Sequence, residues 1–353
     1  MQTGHLLILK NICLIRKGDY IKMNIIVDAF GGDNAPLEVI KGGEMAVRDL
    51  NVRVTLAGDE AVIRKCAEDN DISLEGIDII HAPEVFDIHE DPVSLIKEHK
   101  NSSMAVGMQA LSDGKGDAFV SAGSSGALVV GATFIAKRIK GIKRVALAPI
   151  MPTADKPFIL LDGGANNDCR PEMLVQFAIM GSAYMSRVMG VEKPVVKLLN
   201  VGAEETKGRD LDLEAYKLLE KAPVNFCGNI EARELPFGKA DVVVADGFTG
   251  NVALKLYEGM GKFMASELKN NIFAGAGKLS ALLVMGRIKK LSRKLDYKSV
   301  GGALMIGASK PVIKAHGSSD AKAFYNAIRQ AMNCVKGNMI AAIAETVCGL
   351  QKG

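Results

Sequence analysis

The sequence predicts an α/β protein built on a largely parallel sheet covered by helices on both faces. Three observations predict it. Short β-branched runs alternate with amphipathic helical stretches, which is the pattern of repeated βαβ units. The predicted strands are apolar along nearly their whole length rather than alternating, as strands buried on both faces must be. Glycine is abundant, 37 of 353 residues, without a G-X-Y period, so it belongs to turns and close backbone approaches.

The predicted strands, in order, are NIIVD (24–28), RVTLAG (53–58), IDIIHA (77–82), DAFVSAG (117–123), VALAPI (145–150), FILLDGG (158–164), VVKLLNVG (195–202), VNFCGN (224–229) and DVVVADG (241–247). Amphipathic stretches at 36–50, 59–70, 102–113, 126–139, 171–189 and 210–221 supply the helices between them. The longest uncharged run, 118–136, contains Ser121, Ser124 and Ser125 among Gly123 and Gly126. It reads as strand, turn and helix rather than as a membrane span. At about 150 residues per domain the length allows two domains, though an α/β fold can hold it all in one.

Composition excludes several classes. Hydrophobic residues at 48% and charged residues at 24% are ordinary globular values. The formal net charge is +4, concentrated at two places: 278–298 carries seven Lys/Arg against one Asp, and 1–22 carries four against one. The rest is mildly acidic, so no nucleic-acid partner is expected. The six cysteines form no CxxC pair and the five histidines no HExxH, so no metal site and no disulfide framework is expected, and the usage suits a reducing cytoplasm. Residues 1–22 make a poor signal peptide. With NIIVD following Met23 at once, they read as an upstream extension or a mis-assigned start.

Five predicted strands run into turns bearing Gly with Asp, Asn or Ser: AFGGDNAP, GSSGA, GGANND, VGAEETKG and GFTGN. In a parallel sheet such turns share the carboxyl edge, where open α/β sheets bind ligands. Gly123 and Gly126 allow close approach, and Ser124 and Ser125 stand at a helix start where backbone N–H groups hold anions; a Ser-capped helix start is the plainer alternative. Lys207, in a Gly-flanked loop, can neutralise a phosphate or an oxyanion, or be a solvated loop lysine. Asp246 and Asn251 follow the next strand; Asn can donate to an oxyanion and Asp can orient a lysine or relay a proton. His316, in HGSS, reads as part of a further anion-cradling turn or as a structural histidine.

Nucleotide signatures are missing. No GxGxxG follows a strand, and AGAGKLS (274–280) has Ile272 where a P-loop needs Gly and Leu279 after its lysine. A GxSxG elbow and a Cys/His pair are missing too. What remains is a phosphate-friendly rim suited to a nucleophile that needs only positioning, such as inorganic phosphate.

The motifs DAFGGD (28–33), SAGSSGA, LDGGAN, LNVGAEETKG, GNIEARE (228–234), DVVVADGFTGN and GGALMIG with PVIKAHGSSD together resemble the bacterial phosphate acyltransferases of phospholipid synthesis, from Met23 almost to the C-terminus. The resemblance implies a three-layer α/β/α sandwich similar to phosphotransacetylases and isopropylmalate dehydrogenases, over 23–353. It implies transfer of a fatty acyl group from acyl carrier protein to phosphate, with no cofactor. The acyl phosphate product would feed a membrane glycerol-3-phosphate acyltransferase. It also implies a homodimer; with the reducing cytoplasm read from the cysteines, and the basic segment and a product that partitions into membranes, a cytoplasmic protein peripherally associated with the inner face of the cell membrane is expected. By motif, Lys207, Asn251 and Asp246 are carried over as catalytic candidates. Gly31, Asp33, Ser121, Gly123, Ser124, Ser125, Gly126, Asn166 and His316 are carried over as phosphate- or substrate-binding candidates. The chain departs from the family at Ser124-Ser125, usually Asn-Thr, at Gly163, usually Val, and at Phe30, usually Met.

The segment about 272–298 reads as a basic amphipathic helix. Val284, Ile288, Leu291 and Leu295 form one stripe, while Arg287, Lys289, Lys290, Arg293 and Lys294 take the other faces. Such a helix suits an anionic bilayer or the acidic carrier protein, and Val284, Arg287, Ile288, Lys290, Leu291 and Lys294 are its contact candidates; packing on the body or a dimer mate is the plainer reading. KRIKGIKR (137–144) is a second docking candidate for the carrier protein.

Overall fold

The computed structural model describes residues 23–267 and 301–350. The expected extension 1–22 and the basic segment at 272–298, with its contact candidates from Val284 to Lys294, lie outside the described residues.

Two sheets carry the chain. The first has seven strands in the order β3-β2-β1-β4-β12-β11-β5. These are β1 (Asn24–Asp28), β2 (Arg53–Gly58), β3 (Ile77–His81), β4 (Ala118–Ser121), β5 (Ala146–Ala148), β11 (Ala303–Ile306) and β12 (Val312–Lys314). From β3 to β12 every neighbour is parallel; β11 runs antiparallel to both β12 and β5. The second sheet has five strands, β6-β7-β10-β8-β9. They are β6 (Ile150–Met151), β7 (Phe158–Leu161), β8 (Val195–Asn200), β9 (Asn225–Glu231) and β10 (Val242–Val244), all parallel except the β6–β7 pair.

The expected single strand 145–150 is divided. Proline has no N–H to give a ladder. At Pro149 the chain leaves the first sheet as β5 and enters the second as β6. The two sheets stay in contact there: Gly163 N donates to Leu147 O at 2.7 Å, and Leu147 N donates to the Asp162 carboxylate at 2.9 Å.

Helices connect and cover the strands: α1 (Leu37–Leu50), α2 (Glu60–Asp69), α3 (Ser94–Lys97), α4 (Ser103–Ser112), α5 (Ser125–Phe134), α6 (Pro171–Arg187), α7 (Asp210–Leu219), α8 (Gly247–Glu267), α9 (Ala321–Lys336) and α10 (Met339–Leu350). The helix expected over 126–139 ends five residues early, and Lys137 then adopts a left-handed φ of 67°. One continuous apolar cluster spans both sheets, from Ile25 and Val54 through Phe177, Met180 and Tyr184 of α6 to Val196 and Val242. Burying a side chain such as Phe177 contributes about 3 kcal/mol.

Candidate functional site

The five glycine-bearing turns divide between the two sheets. Those after β1 and β4 lie on the first sheet, and those after β7, β8 and β10 on the second. The expectation that they share the margin of one sheet is corrected by the sheet change at Pro149. Helix α8 reconnects the two rims. It starts at the exit of β10, and its Lys255, one turn beyond Asn251, sits close enough to act electrostatically on Lys314 and His316 of the first sheet.

On the first rim Asp28, at the end of β1, is buried and accepts hydrogen bonds from Ser121 Oγ (2.7 Å), Phe30 N (3.2 Å), Ser103 and Gly31 N. Burial pushes its carboxyl above the ordinary value despite these donors. A Cβ built on Gly31 would lie 2.7–2.8 Å from Asp28 Oδ2, Gly123 N and Ser121 Oγ, so only glycine lets the two turns interlock. Gly123 N in turn donates to Ser121 Oγ at 3.0 Å. Ser124 caps α5 by accepting from Ala127 N, and Pro92 covers Gly126. Ser125 is exposed. Asp33 N donates to Gly317 O at 2.8 Å, which draws the β1 turn against the HGSS turn. His316 Nδ1 pairs with Ser318 Oγ at 2.9 Å and accepts from Ser318 N; burial, then the neighbouring Lys314, lowers its pKa.

These elements enclose a cavity of about 410 Å³. Phe30, Val85, Phe86, Ile88 and Met104 form its apolar wall, and Asp28, Asp33, Ser103 and Lys314 its polar side. Val85 and Ile88 are exposed at its lip. Lys314, the last residue of β12, donates from Nζ to Ala122 O at 3.1 Å and Ala315 O at 2.5 Å. Burial draws its pKa down to about 8, against the pull of Asp33 and Asp28.

On the second rim Asp162 is a hub. Its oxygens accept from the backbone N–H groups of Leu147, Gly164, Ala165 and Asn166 and from Asn166 Nδ2, which also reaches Val145 O at 2.8 Å. Asn166 is thus engaged in shaping its own turn. Asp246 is buried and caps α8 through Thr249 N at 3.0 Å; it also accepts from Thr249 Oγ1 at 2.7 Å and from Arg209 at 2.5 Å. Its carboxyl is raised by burial, but the donors of Arg209 and Thr249 outweigh that and hold it below the usual value. Asp246 therefore ties the loop that bears Lys207 to the helix that bears Asn251. Lys207 and Asn251 are both exposed, and Asn251 lies against Gly164. The Lys207 loop is pinned by Asn200 Nδ2 to Lys207 O (2.9 Å) and by Asn229 Nδ2 to Glu204 O (2.7 Å).

Sequence reasoning missed Asp28, Ser103, Asp162, Arg209, Asn229 and Lys314. Asp28, Asp162 and Asn229 stood within the quoted motifs. Lys314 also stood within a quoted motif, PVIKAHGSSD, but its bond to Ala122 spans 192 residues; Arg209, just past LNVGAEETKG, carried no local signal beyond its charge, because its partner Asp246 is 37 residues away. Among the described residues no group of three or more His, Cys, Asp or Glu could hold a metal ion, and no helix is long and apolar enough to cross a membrane.

The fold is that of an α/β protein whose glycine-bearing turns lie at the carboxyl edges of two mostly parallel sheets, beside an apolar-walled cavity on the first rim. Solved structures agree on the fold. A phosphotransacetylase from Streptococcus pyogenes superposes with a TM-score of 0.61 at 15% identity, covering 89% of this chain and 94% of that one. The EutD phosphotransacetylase from Staphylococcus aureus does so with 0.59 at 18%, covering 90% and 94%. The chain belongs to the fatty acid synthesis protein family, whose model matches residues 23–342. Curated relatives are phosphate acyltransferases: that of Caldanaerobacter subterraneus subsp. tengcongensis is 45% identical over 334 residues, 92% of this chain and 97% of its own. That of Oceanobacillus iheyensis is 46% identical over 332 residues, covering 94% and 99%. The chain is accordingly an acyltransferase that transfers acyl groups to phosphate.

Proposed function

We propose that the acyl donor is a fatty acyl-[acyl carrier protein] and that the product, a fatty acyl phosphate, is passed to a membrane glycerol-3-phosphate acyltransferase. The observation that carries this reading is the cavity: an apolar wall with Val85 and Ile88 at its mouth suits an alkyl chain, and the lysine-bearing side suits an anion. Phosphate oxygen attacks the thioester carbonyl, the carbonyl oxygen takes up the charge, and the C–S bond breaks to release the pantetheine thiolate. Lys207 and Asn251 are the groups we assign to the oxyanion, and the fold supplies proximity. Residues 23–353 form the catalytic unit in this reading, supported by the family match starting at residue 23.

A homodimer and a peripheral membrane surface at the inner face of the cell membrane belong to the same proposal. Phe248, Val252, Leu256, Met260 and Phe263 form an exposed apolar stripe along α8, which supports a covered face there. The test is incubation of pure protein with palmitoyl-carrier protein and phosphate, with acyl phosphate and free thiol measured. Turnover with acetyl-coenzyme A but not with the carrier-bound chain would replace this reading by a small-substrate phosphotransacetylase.

A further inference from the structure

The turns expected to cradle phosphate spend much of their hydrogen-bonding capacity on themselves. Gly123 N is taken by Ser121, Ser121 Oγ by Asp28, Phe30 N by Asp28, and Ala127 N by Ser124. Asp33 N is taken by Gly317 O. An anion entering the first-rim cavity therefore needs another donor. Lys314 lines that cavity, and an ammonium group has three N–H donors in tetrahedral array. Two are fixed on Ala122 O and Ala315 O, which orients the group and leaves one donor.

We propose that Lys314 is a substrate-binding residue whose remaining N–H holds the inorganic phosphate that attacks the thioester. The two carbonyls make it a positioned cation rather than a mobile one, which lowers the entropy lost on binding. Its surroundings fit an anion that must be held but also released. Lys255 of α8 adds positive charge from the opposite rim, while Asp28 and Asp33 offset it. Lys314 in turn acts on His316, which also feels Glu258 and Lys262 of α8. Asp28 is itself occupied by two serine hydroxyls and two amides, so its oxygens are turned toward donors of the fold. The depressed proton affinity of Lys314 adds a signature: phosphate binding favours the charged amine, so binding above pH 8 should take up a proton.

This inference rests on acyl transfer to phosphate but not on the identity of the acyl donor, and its test keeps the two apart. Phosphate binding is measured without any acyl donor, by calorimetry with inorganic phosphate at pH 8.5 in two buffers of different ionisation enthalpy. Wild-type protein should show proton uptake. Lys314→Met keeps the chain length and removes the charge; it should bind phosphate about 10- to 100-fold more weakly, without proton uptake. In steady-state assays its KM for phosphate should rise by a similar factor while its KM for the acyl donor stays within about twofold, and Lys314→Arg should restore part of the loss. Coenzyme A, which carries phosphate groups attached to the pantetheine arm, is the second probe. If Lys314→Met weakens coenzyme A binding and leaves inorganic phosphate unchanged, Lys314 serves the thioester's own phosphate and the proposal is overturned. Phosphate affinity unchanged in both Lys314→Met and Lys314→Gln would also overturn it.

Discussion

Replacing Arg209 by Met should loosen the join between the Lys207 loop and α8. Arg209 bridges Asp246 at 2.5 Å and Asp212 at 3.0 Å. The Asp246 side chain is 2% exposed and that of Arg209 55%, so one partner is buried and the other reaches water. Breaking a fully buried pair costs about 3–5 kcal/mol, and an exposed pair about 0–1 kcal/mol. Asp246 keeps its two Thr249 donors, so the intermediate value of about 2 kcal/mol applies. For a chain of this length that corresponds to a fall in Tm of about 3 °C. The pH dependence has a definite sign. The folded-state pKa of Asp246 lies below its ordinary value of 3.8, so its stabilisation is present above that value and is lost as pH falls through the folded pKa. Removing Arg209 takes away the main opposing influence to burial. The stability difference between wild type and variant should therefore be complete at pH 7 and shrink on acidification below 4. Urea unfolding at several pH values measures it. A difference below about 0.5 kcal/mol at pH 7, or one that does not change with acid, would refute the ion-pair account of this join.

Other outcomes follow from the same geometry. Gly250→Ala places a Cβ 1.8 Å from Asp162 O, so α8 must shift; we expect about 3 kcal/mol of destabilisation by denaturant unfolding and reduced kcat, since Asn251 is the next residue. An unchanged Tm would mean that α8 is not seated on that carbonyl. Among the described cysteines, burial raises Cys169 to about 11 and Cys334 to about 12, whereas Cys227 and Cys348 are exposed. An aromatic disulfide reagent should therefore label Cys227 and Cys348 quickly, the half-buried Cys66 and Cys169 more slowly, and Cys334 only on denaturation, as peptide mapping would show. Leu256→Glu puts a charge in the middle of the exposed α8 stripe; light scattering should show a smaller assembly, and an unchanged mass would remove that stripe from any dimer seam.

Much of the fold was legible because its strands are apolar runs closed by turn residues. All nine predicted strands appear, one of them divided, since NIIVD, RVTLAG and VVKLLN are apolar runs bounded by Gly or Asp. β11 (ALMI) and β12 (VIK) were not read as strands, although β4, β7 and β10 are as short, and they are where the first sheet gains its antiparallel member. α8 was hidden by Gly250, Gly259 and Gly261, which weaken helix propensity, and by apolar residues that stay exposed instead of marking a buried face. The site was legible as a set of turns because Gly and Asn leave a local signature. Its connectivity was not, because hydrogen bonds such as Ser121 to Asp28 and Lys314 to Ala122 join residues 93 and 192 positions apart.

The division of the turns between two sheets changes what they do. On one sheet they would all face a ligand directly. On two, part of their polar capacity is needed to hold the sheets together, and Asp162 shows this: its turn closes on itself and on Leu147, at the junction. The same applies to Asp246, whose oxygens serve a helix cap and a loop clasp. In the proposed reading the residues that meet substrate are those that project from these braced turns without being consumed by them. Lys207 and Asn251 are exposed beyond the Asp246 clasp, and Lys314 keeps one donor after its two carbonyls. Because α8 carries Asn251 on the second rim and Lys255, whose charge reaches Lys314 of the first, its seating sets the relation between the two rims. A perturbation at Asp246 or Gly250 should therefore reach phosphate binding as well as acyl transfer, although neither residue lines the cavity.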